Sequence, residues 1–351
     1  MLRVIMTTMT FSLLSACTAQ QFVYAPEQFV TIEDVEMAPD GSTIFFSYRQ
    51  QKRVAKLGVY LTETGDIFPM DLPNNISWKS PSISSDSRYL AIATYCWEDC
   101  PSLTSGHQIA LLDLQQEDVN YRFLTTDQQS DLEKSVYFNP RFLPSGNVLL
   151  FQEDIYSKDG KKFPIGRRIN KFDISKTAPE PKIEIKDEEQ SFYSFEMHAA
   201  KSEDEIIISY IPLIDGPFTK LKKKNSILQN ASSFVVYAHI NNGKGSYEPF
   251  EKDQKSSLSN LDATESGEIF FVSTDTAVSD YDYELFTLMN GKHRQLTTEM
   301  NYIKDISISA NGSKLALNGT NDIMIYDVAT GTLSPTNIRH RIEAGIKAET
   351  Q

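Results

Sequence analysis

The side chains that most often perform catalysis or bind metals are scattered along this chain of 351 residues. Its five histidines are far apart in the sequence, at His107, His198, His239, His293 and His340. The sequence contains no Gly-x-Ser-x-Gly, Gly-x-x-x-x-Gly-Lys or His-Glu-x-x-His motif, and so no nucleophile elbow, phosphate loop or helical zinc motif. It therefore predicts no catalytic residues, no cofactor and no metal site.

Recurring acidic residues raise one alternative, a ring of carboxylates. Asp113, Asp173 and Asp327 each stand near the end of a predicted strand, just before a turn. Aspartate at such positions commonly hydrogen-bonds to the local backbone, and Asp40 and Asp86 have the same explanation. We expect these carboxylates to stabilise turns.

The elements that would position these residues form a repeat. Asp305–Gly331 contains three short apolar strands, and its first turn is Asn311-Gly312; Asn-Gly between alternating apolar runs is a strong hairpin signal. Five further copies, one of them degenerate, have first turns near residues 41, 87, 146, 203 and 267. Repeats of about 40–50 residues with four short strands are typical of propeller blades. The sequence thus predicts an all-β fold, a six-bladed β-propeller of four-stranded antiparallel blades.

This repeat resembles that of the TolB-type β-propellers, which are relatives of the Trp-Asp repeats. The matching residues are Ala38-Pro39-Asp40-Gly41, an apolar strand, Tyr-x-x-x-Thr-Gly within Val59–Gly65, and the later pairs Leu124-Thr125 and Leu296-Thr297. The resemblance runs from about residue 33 to 337. It implies the fold and not the function, because propellers host many activities. We expect the N-terminal α/β domain of that family to be absent, since the repeats begin close to the N-terminus.

The first residues are typical of a secretory signal: a basic start, an apolar run over Val4–Leu14 and then small residues. Leu14-Ser15-Ala16-Cys17 resembles a bacterial lipobox. We expect residues 1–16 to be a lipoprotein signal peptide, Cys17 to be lipidated, and Thr18 to favour the outer membrane, facing the periplasm. The alternative is an ordinary signal in which Cys17 is incidental.

The remaining chain is expected to form one domain. Residues 17–32 would be an anchor segment, in which Phe22–Tyr24 is a possible strand that joins the last blade and closes the ring. Residues 33–338 would form the propeller, and 339–351 a polar C-terminal tail that is frayed or weakly helical.

Two cysteines remain if Cys17 carries lipid. Cys96 and Cys100 stand close together in C-W-E-D-C, and paired cysteines of exported proteins usually form disulfides. We expect a Cys96–Cys100 disulfide. The alternative is metal ligation, for which His107 is the only other candidate nearby.

Charge and loop length suggest where a partner would bind. The net charge of −13 argues against nucleic acid, which requires a basic surface. Strand order places the long second-to-third connections, including Cys96–Gly106, on one face, and long loops on a rigid scaffold often carry binding sites. We expect Trp97 to be an aromatic anchor there, beside the basic run of Lys220, Lys222, Lys223 and Lys224. The alternatives are neutral loop growth and a solvated basic loop.

Two functions follow as hypotheses. The first is a lipid-anchored, non-enzymatic interaction module of the bacterial cell envelope, which binds another envelope protein and touches the membrane only through its lipid. The second is a periplasmic enzyme, or a glycan- or metal-binding propeller, with its site in the central channel. Only His198 falls near a predicted channel-lining strand, and we expect it to have a structural role.

Overall fold

The structure is a computed structural model that describes most of the predicted strands. The described residues are 30–50, 54–96, 106–116, 120–125, 133–157, 164–175, 182–187, 192–202, 204–212, 234–239, 246–249, 258–264, 266–273, 283–289, 292–298, 303–320 and 322–349. Several predicted features lie outside them: Cys17, Phe22–Tyr24, Trp97, Cys100 and the lysines at 220, 222, 223 and 224. The predictions that concern these residues remain predictions.

The described strands form six four-stranded antiparallel sheets, each made of consecutive strands. Sheet 1 consists of β1 (Val30–Met37), β2 (Thr43–Gln50), β3 (Lys56–Leu61) and β4 (Ile67–Pro69). Sheet 2 consists of β5 (Ile76–Ile83), β6 (Tyr89–Cys96), β7 (Gly106–Asp113) and β8 (Asn120–Phe123). Sheet 3 consists of β9 (Glu133–Phe142), β10 (Val148–Ser157), β11 (Gly166–Asp173) and β12 (Lys182–Asp187). Sheet 4 consists of β13 (Phe192–Ser202), β14 (Glu205–Pro212), β15 (Phe234–His239) and β16 (Ser246–Pro249). Sheet 5 consists of β17 (Leu258–Ala263), β18 (Ile269–Ser273), β19 (Glu284–Met289) and β20 (Lys292–Gln295). Sheet 6 consists of β21 (Ile303–Ile308), β22 (Lys314–Gly319), β23 (Ile323–Asp327) and β24 (Thr332–Pro335).

The sheets are arranged around a central channel. The first strand of each sheet contacts the first strand of the next, and β21 of sheet 6 contacts β1 of sheet 1. This is the arrangement of a β-propeller, in which the first strands are innermost. The predicted all-β propeller of four-stranded antiparallel blades is confirmed.

The hydrophobic core lies between neighbouring sheets. In β2 the consecutive side chains Phe45 and Phe46 belong to two different apolar clusters, one shared with sheet 2 and the other with sheet 6. Because successive side chains of a strand point to opposite faces, a strand between two sheets must be apolar on both. Burying each phenylalanine contributes about 1.5–3 kcal/mol.

The first turns follow one pattern. Gly41 and Gly312 adopt positive φ values of 74° and 72°, a region that glycine enters without steric cost. Sheet 2 has Ser87 at this position, with φ 57°. The predicted turn role of the aspartates is confirmed where the structure describes them: Asp327 Oδ1 accepts from Thr330 N at 2.8 Å, and Asp86 Oδ1 from Arg88 N at 3.0 Å.

A C-terminal helix, α1 (Ile338–Glu349), covers the junction between sheets 6 and 1. Ile338 is fully buried in the cluster that contains Ile32 of sheet 1 and Ile323 of sheet 6. Glu343 Oε1 accepts a hydrogen bond from Val30 N at 3.4 Å and pairs with Arg339 Nε at 3.2 Å. The residues expected to be frayed or weakly helical therefore include an ordered element that joins the two ends of the ring. No helix among the described residues is long and apolar enough to cross a membrane.

Candidate functional site: a polar cavity in the central channel

Each innermost strand contributes one polar side chain to the same cavity. The residue stands five positions before the first-turn position of its repeat, as Glu36 does before Gly41 and Ser307 before Gly312. The six side chains, called the channel ring, are Glu36, Ser82, Arg141, His198, Asp262 and Ser307, and all six line one cavity. The cavity has a volume of about 110 Å³, which is room for several waters or for the end group of a ligand.

Local backbone irregularity helps to aim these side chains. The innermost strands have β-bulges, for example between Ile32 and Asp34 in β1 and between Met197 and Ala199 in β13. Ser80, Asn139 and Asn260 stand two residues before the ring residues of their sheets and have φ values of 46°, 50° and 48°. A bulge bends its strand and redirects the side chains beside it.

Four of the ring residues connect neighbouring sheets. In each case a side-chain oxygen accepts a hydrogen bond from the backbone N–H that follows the ring position of the next sheet. The four bonds are Ile83 N to Glu36 Oε1 at 3.1 Å, Phe142 N to Ser82 Oγ at 3.1 Å, Ile308 N to Asp262 Oδ2 at 2.7 Å, and Met37 N to Ser307 Oγ at 2.9 Å. Arg141 makes the reverse contact, since its Nε donates to His198 O at 2.9 Å. The channel ring therefore joins neighbouring sheets by hydrogen bonds and also lines the cavity.

One side of the ring is acidic. Ser307 lies between Glu36 and Asp262: its Oγ donates to Glu36 Oε2 at 3.2 Å, and its hydroxyl is near enough to Asp262 to lower the pKa of that carboxyl. A hydroxyl has one hydrogen to donate, so Ser307 serves only one of the two carboxylates at a time. A further donor in the cavity would therefore be stabilised there.

Removal from bulk water raises the pKa of these carboxyls. It raises the pKa of Glu36 to about 7 and that of Asp262 to about 6, although the positive charge of Arg141 acts in the opposite direction on both. Asp305, two residues before Ser307, has a pKa of about 8 because it is removed from water and lies near Asp34. These groups change protonation near neutral pH, where proton transfer is most easily coupled to chemistry.

His198 is the one histidine of the ring. It is buried, and its Nε2 lies 2.7 Å from Ser209 Oγ. This contact agrees with the structural role expected from the sequence. His198 is nevertheless also one of the residues that line the cavity. Within the described ranges, no three His, Cys, Asp or Glu side chains are arranged to hold a metal ion.

The channel cavity lies in the central channel, where the second hypothesis would place a site, and not on the long-loop face that the first hypothesis favoured. It lies where the innermost strands end, near Pro39, Pro144 and Ala310, and so on the face of the first turns and not of the long loops. Of the predicted site residues the structure describes Cys96, which is buried at the end of β6 and disulfide-bonded. Its pairing with Cys100 remains a prediction.

Fold and site together define a β-propeller with a polar channel cavity, and solved structures share this fold. They include an oligogalacturonate lyase in complex with manganese (11% identity, TM-score 0.52, covering 87% of this chain and 78% of that one). Others are TolB from Acinetobacter baumannii (16%, 0.52, covering 88% and 61%) and a puromycin-hydrolyzing peptidase of Mycobacterium tuberculosis (9%, 0.54, covering 89% and 54%). At these identities the likeness shows the fold alone. No family model and no curated protein matches the sequence.

The comparisons correct the prediction that the chain is not an enzyme. Solved structures with this fold include a lyase and a peptidase, so the absence of three sequence motifs does not exclude catalysis by a propeller. The resemblance to TolB-type propellers is confirmed at the level of the fold. This chain spans about three-fifths of that TolB chain, as its 61% coverage shows.

Proposed function

We propose that this protein binds a ligand whose positively charged amine end group enters the channel cavity. The amine would donate hydrogen bonds to Glu36 and Asp262 on the acidic side of the ring. Arg141, on another side of the ring, would contact an acceptor group of the same ligand. With two carboxyls and one guanidinium in its lining, the cavity favours a cation when both acids are ionised.

The observation that carries this proposal is that serine and acidic residues make the same connection between sheets. Ser82 and Ser307 accept the hydrogen bond from the next sheet just as Glu36 and Asp262 do. A hydroxyl therefore meets the structural requirement without the free-energy cost of removing a carboxylate from water. The two carboxyls exceed what the hydrogen bonds between sheets need. Arg141 supplies one positive charge against them, and a ligand that carries a positive charge would balance the other.

A thermal-shift titration tests the proposal with ethylammonium chloride as the probe. Tetramethylammonium chloride is the matched control, because it carries the same charge and ionic strength but has no hydrogen to donate. We expect ethylammonium to raise the melting temperature saturably, and tetramethylammonium to have no such effect.

Two variants locate the effect. Glu36→Gln and Asp262→Asn each keep an oxygen that accepts the bond from the next sheet, and each should weaken the ethylammonium response. Equal responses to the two cations, or unchanged responses in both variants, would refute the proposal.

The pKa values favour a second candidate, acid–base catalysis in the same cavity. Glu36, with a pKa of about 7, and Asp262, with a pKa of about 6, are suited to give and take a proton near neutral pH. Oligogalacturonate and short peptides are reasonable first substrates, since enzymes that share the fold act on such polymers. Turnover that disappears in both Glu36→Gln and Asp262→Asn would support it; turnover retained in both would exclude these residues as the acid and base.

We propose further that all six sheets act as blades of one closed ring. Two observations support this proposal: the contact between β21 and β1, and the helix that covers their junction. Proteolysis should then release no stable fragment that lacks sheet 6.

The cellular setting is proposed from the sequence alone. Leu14–Cys17 supports a lipid anchor at Cys17 and a position on the outer membrane, facing the periplasm. The long-loop face, with Trp97 and the lysines at 220, 222, 223 and 224, would bind another envelope protein. Loss of membrane association in Cys17→Ala tests the anchor, and photocrosslinking from Trp97 tests the partner surface.

A further inference from the structure

A second cavity lies on the opposite face of the propeller from the channel cavity. It has a volume of about 480 Å³ and is lined by residues of sheets 1, 2 and 3, chief among them Arg49, Lys79, Tyr95, His107 and Phe138. Tyr95 stands near the end of β6 and His107 near the start of β7. The cavity is therefore on the face from which the second-to-third loops emerge, and we call it the loop-face cavity.

Its wall is aromatic. The rings of Tyr95 and His107 lie 4.2 Å apart between centroids with their planes at 33°, and Phe138 adds a third, half-buried ring. Burial, together with the charges of Lys134 and Lys79, lowers the pKa of His107 to about 4. The imidazole is thus uncharged at neutral pH and presents a flat surface on which another ring can stack.

Its charged groups are mainly cationic. Arg49 Nη2 lies 2.7 Å from Glu33 Oε1, and Lys79 Nζ lies 2.8 Å from Glu33 Oε2. Two cations therefore share one carboxylate, and Lys134 is close enough to act on His107. Asp34, the next acid along β1, accepts hydrogen bonds from Ser47 and Ser80.

One donor of the cluster has no acceptor. Arg49 Nε is buried and makes no hydrogen bond with the part of the chain that the structure describes. Among the described residues that line the cavity there are two cations, Arg49 and Lys79, and no carboxylate, on a chain whose net charge is −13. An anion fits such a setting and a cation does not.

We propose that the loop-face cavity binds an organic anion with a flat apolar body. The flat part would rest against His107 and Phe138, and the anionic group would face Lys79 and Arg49. This site and its ligand are independent of the channel cavity, since no lining residue is shared.

Two dyes that differ by one sulfonate test the proposal on the full chain. 8-Anilino-1-naphthalenesulfonate is the anionic probe, and N-phenyl-1-naphthylamine is its uncharged counterpart. We expect the sulfonate dye to bind saturably, with one site per chain and the higher affinity of the two. Raising the salt concentration should weaken its binding and leave that of the uncharged dye unchanged, because salt screens only the charge interaction.

Variants then separate charge from stacking. Lys79→Gln should weaken the sulfonate dye about fivefold with little effect on the uncharged dye, whereas His107→Ala should weaken both. Lys314→Gln is the control, since Lys314 lies by the first turns, where its Nζ contacts Gly41 O at 3.4 Å.

Several outcomes would overturn the inference: no saturable site for the sulfonate dye, equal salt dependence of the two dyes, or an equal loss in Lys79→Gln and Lys314→Gln. The salt experiment needs no substitution, so the proposal stays testable even if a variant does not fold.

Discussion

Asp262 of sheet 5 accepts a hydrogen bond from the backbone N–H of Ile308 in sheet 6, at 2.7 Å from Oδ2 to N. The two residues are 46 positions apart in the chain and belong to neighbouring innermost strands. The bond gives a partner to the backbone N–H of Ile308 on the channel side of the innermost strand, where the sheet has no further strand to accept it. A side chain that lines the cavity is therefore also part of what holds two sheets together.

We predict that this structural role depends on an acceptor and not on a charge. Asp262→Ala leaves Ile308 N without a partner, and should lower the free energy of unfolding by about 1–3 kcal/mol. Asp262→Ser should lose clearly less, because Ser82 and Ser307 make the equivalent bond. Urea unfolding of the two variants, which differ by one hydroxyl, measures the difference. Equal stabilities would show that the bond to Ile308 contributes nothing.

Stability should fall as the pH rises from about 4 to about 8. The pKa values of Asp262, Glu36 and Asp305 are raised to about 6, 7 and 8 from 3.8, 4.5 and 3.8. In this window the folded chain holds protons on these three carboxyls that the unfolded chain releases, so each increase in pH favours unfolding. His107, whose pKa is lowered to about 4, acts in the opposite direction below about pH 6.5, but it is one group against three. Urea unfolding at pH 5, 6.5 and 8 checks the trend.

A single variant isolates the largest of these contributions. Asp305→Asn keeps an oxygen for the bond from Val35 N but removes the ionisation, so the decrease in stability between pH 5 and 8 should become smaller. Asp327→Asn is the control, since the hydrogen bonds from Thr330 lower the pKa of Asp327 and its titration lies below this window. An unchanged slope in Asp305→Asn would contradict the assignment.

The fold could be predicted from the sequence because its signals are local. Turn residues such as Gly41 and Gly312 stand between alternating apolar runs, and each run identifies one strand without knowledge of the others. The channel ring could not be predicted in this way, because Glu36 and Asp262 come together only when the ring closes. A signal was nevertheless present, since every ring residue stands five positions before a first-turn position.

Two other features show what sequence patterns left out. Ile338 and Ile342 are four residues apart, the spacing of one helical face, yet the polar residues around them led to the expectation of a tail. His198 was placed near the channel from its strand position, but the neighbours that give the cavity its acidity come from other repeats. Both depend on contacts between the ends of the chain or between sheets.

A pair of glycine substitutions should have opposite effects. A Cβ at Gly58 would overlap the ring of Phe46, which is fully buried, so Gly58→Ala should destabilise the protein by about 1–3 kcal/mol or more. Gly345 lies in α1 with no atom within 4 Å of a Cβ. Gly345→Ala should therefore stabilise by about 0.5–1 kcal/mol, because alanine favours the helix. Thermal unfolding of both variants tests this, and a loss of stability in Gly345→Ala would contradict the packing described for the helix.

The C-terminal helix should contribute to the stability of the whole ring. Ile338 is fully buried, and it lies between sheet 1 and sheet 6. Ile338→Ala should lower the free energy of unfolding by about 2–5 kcal/mol, the usual range for removing a large buried aliphatic side chain. Ala344→Ser, at an exposed position of the same helix, should change it by less than about 0.5 kcal/mol.

Because the helix covers the junction of the first and last sheets, Ile338→Ala should shift one cooperative transition and not melt the helix alone. Hydrogen exchange that rises only within residues 338–349, with β1 and β22 still protected, would show that the helix is not part of the ring's closure.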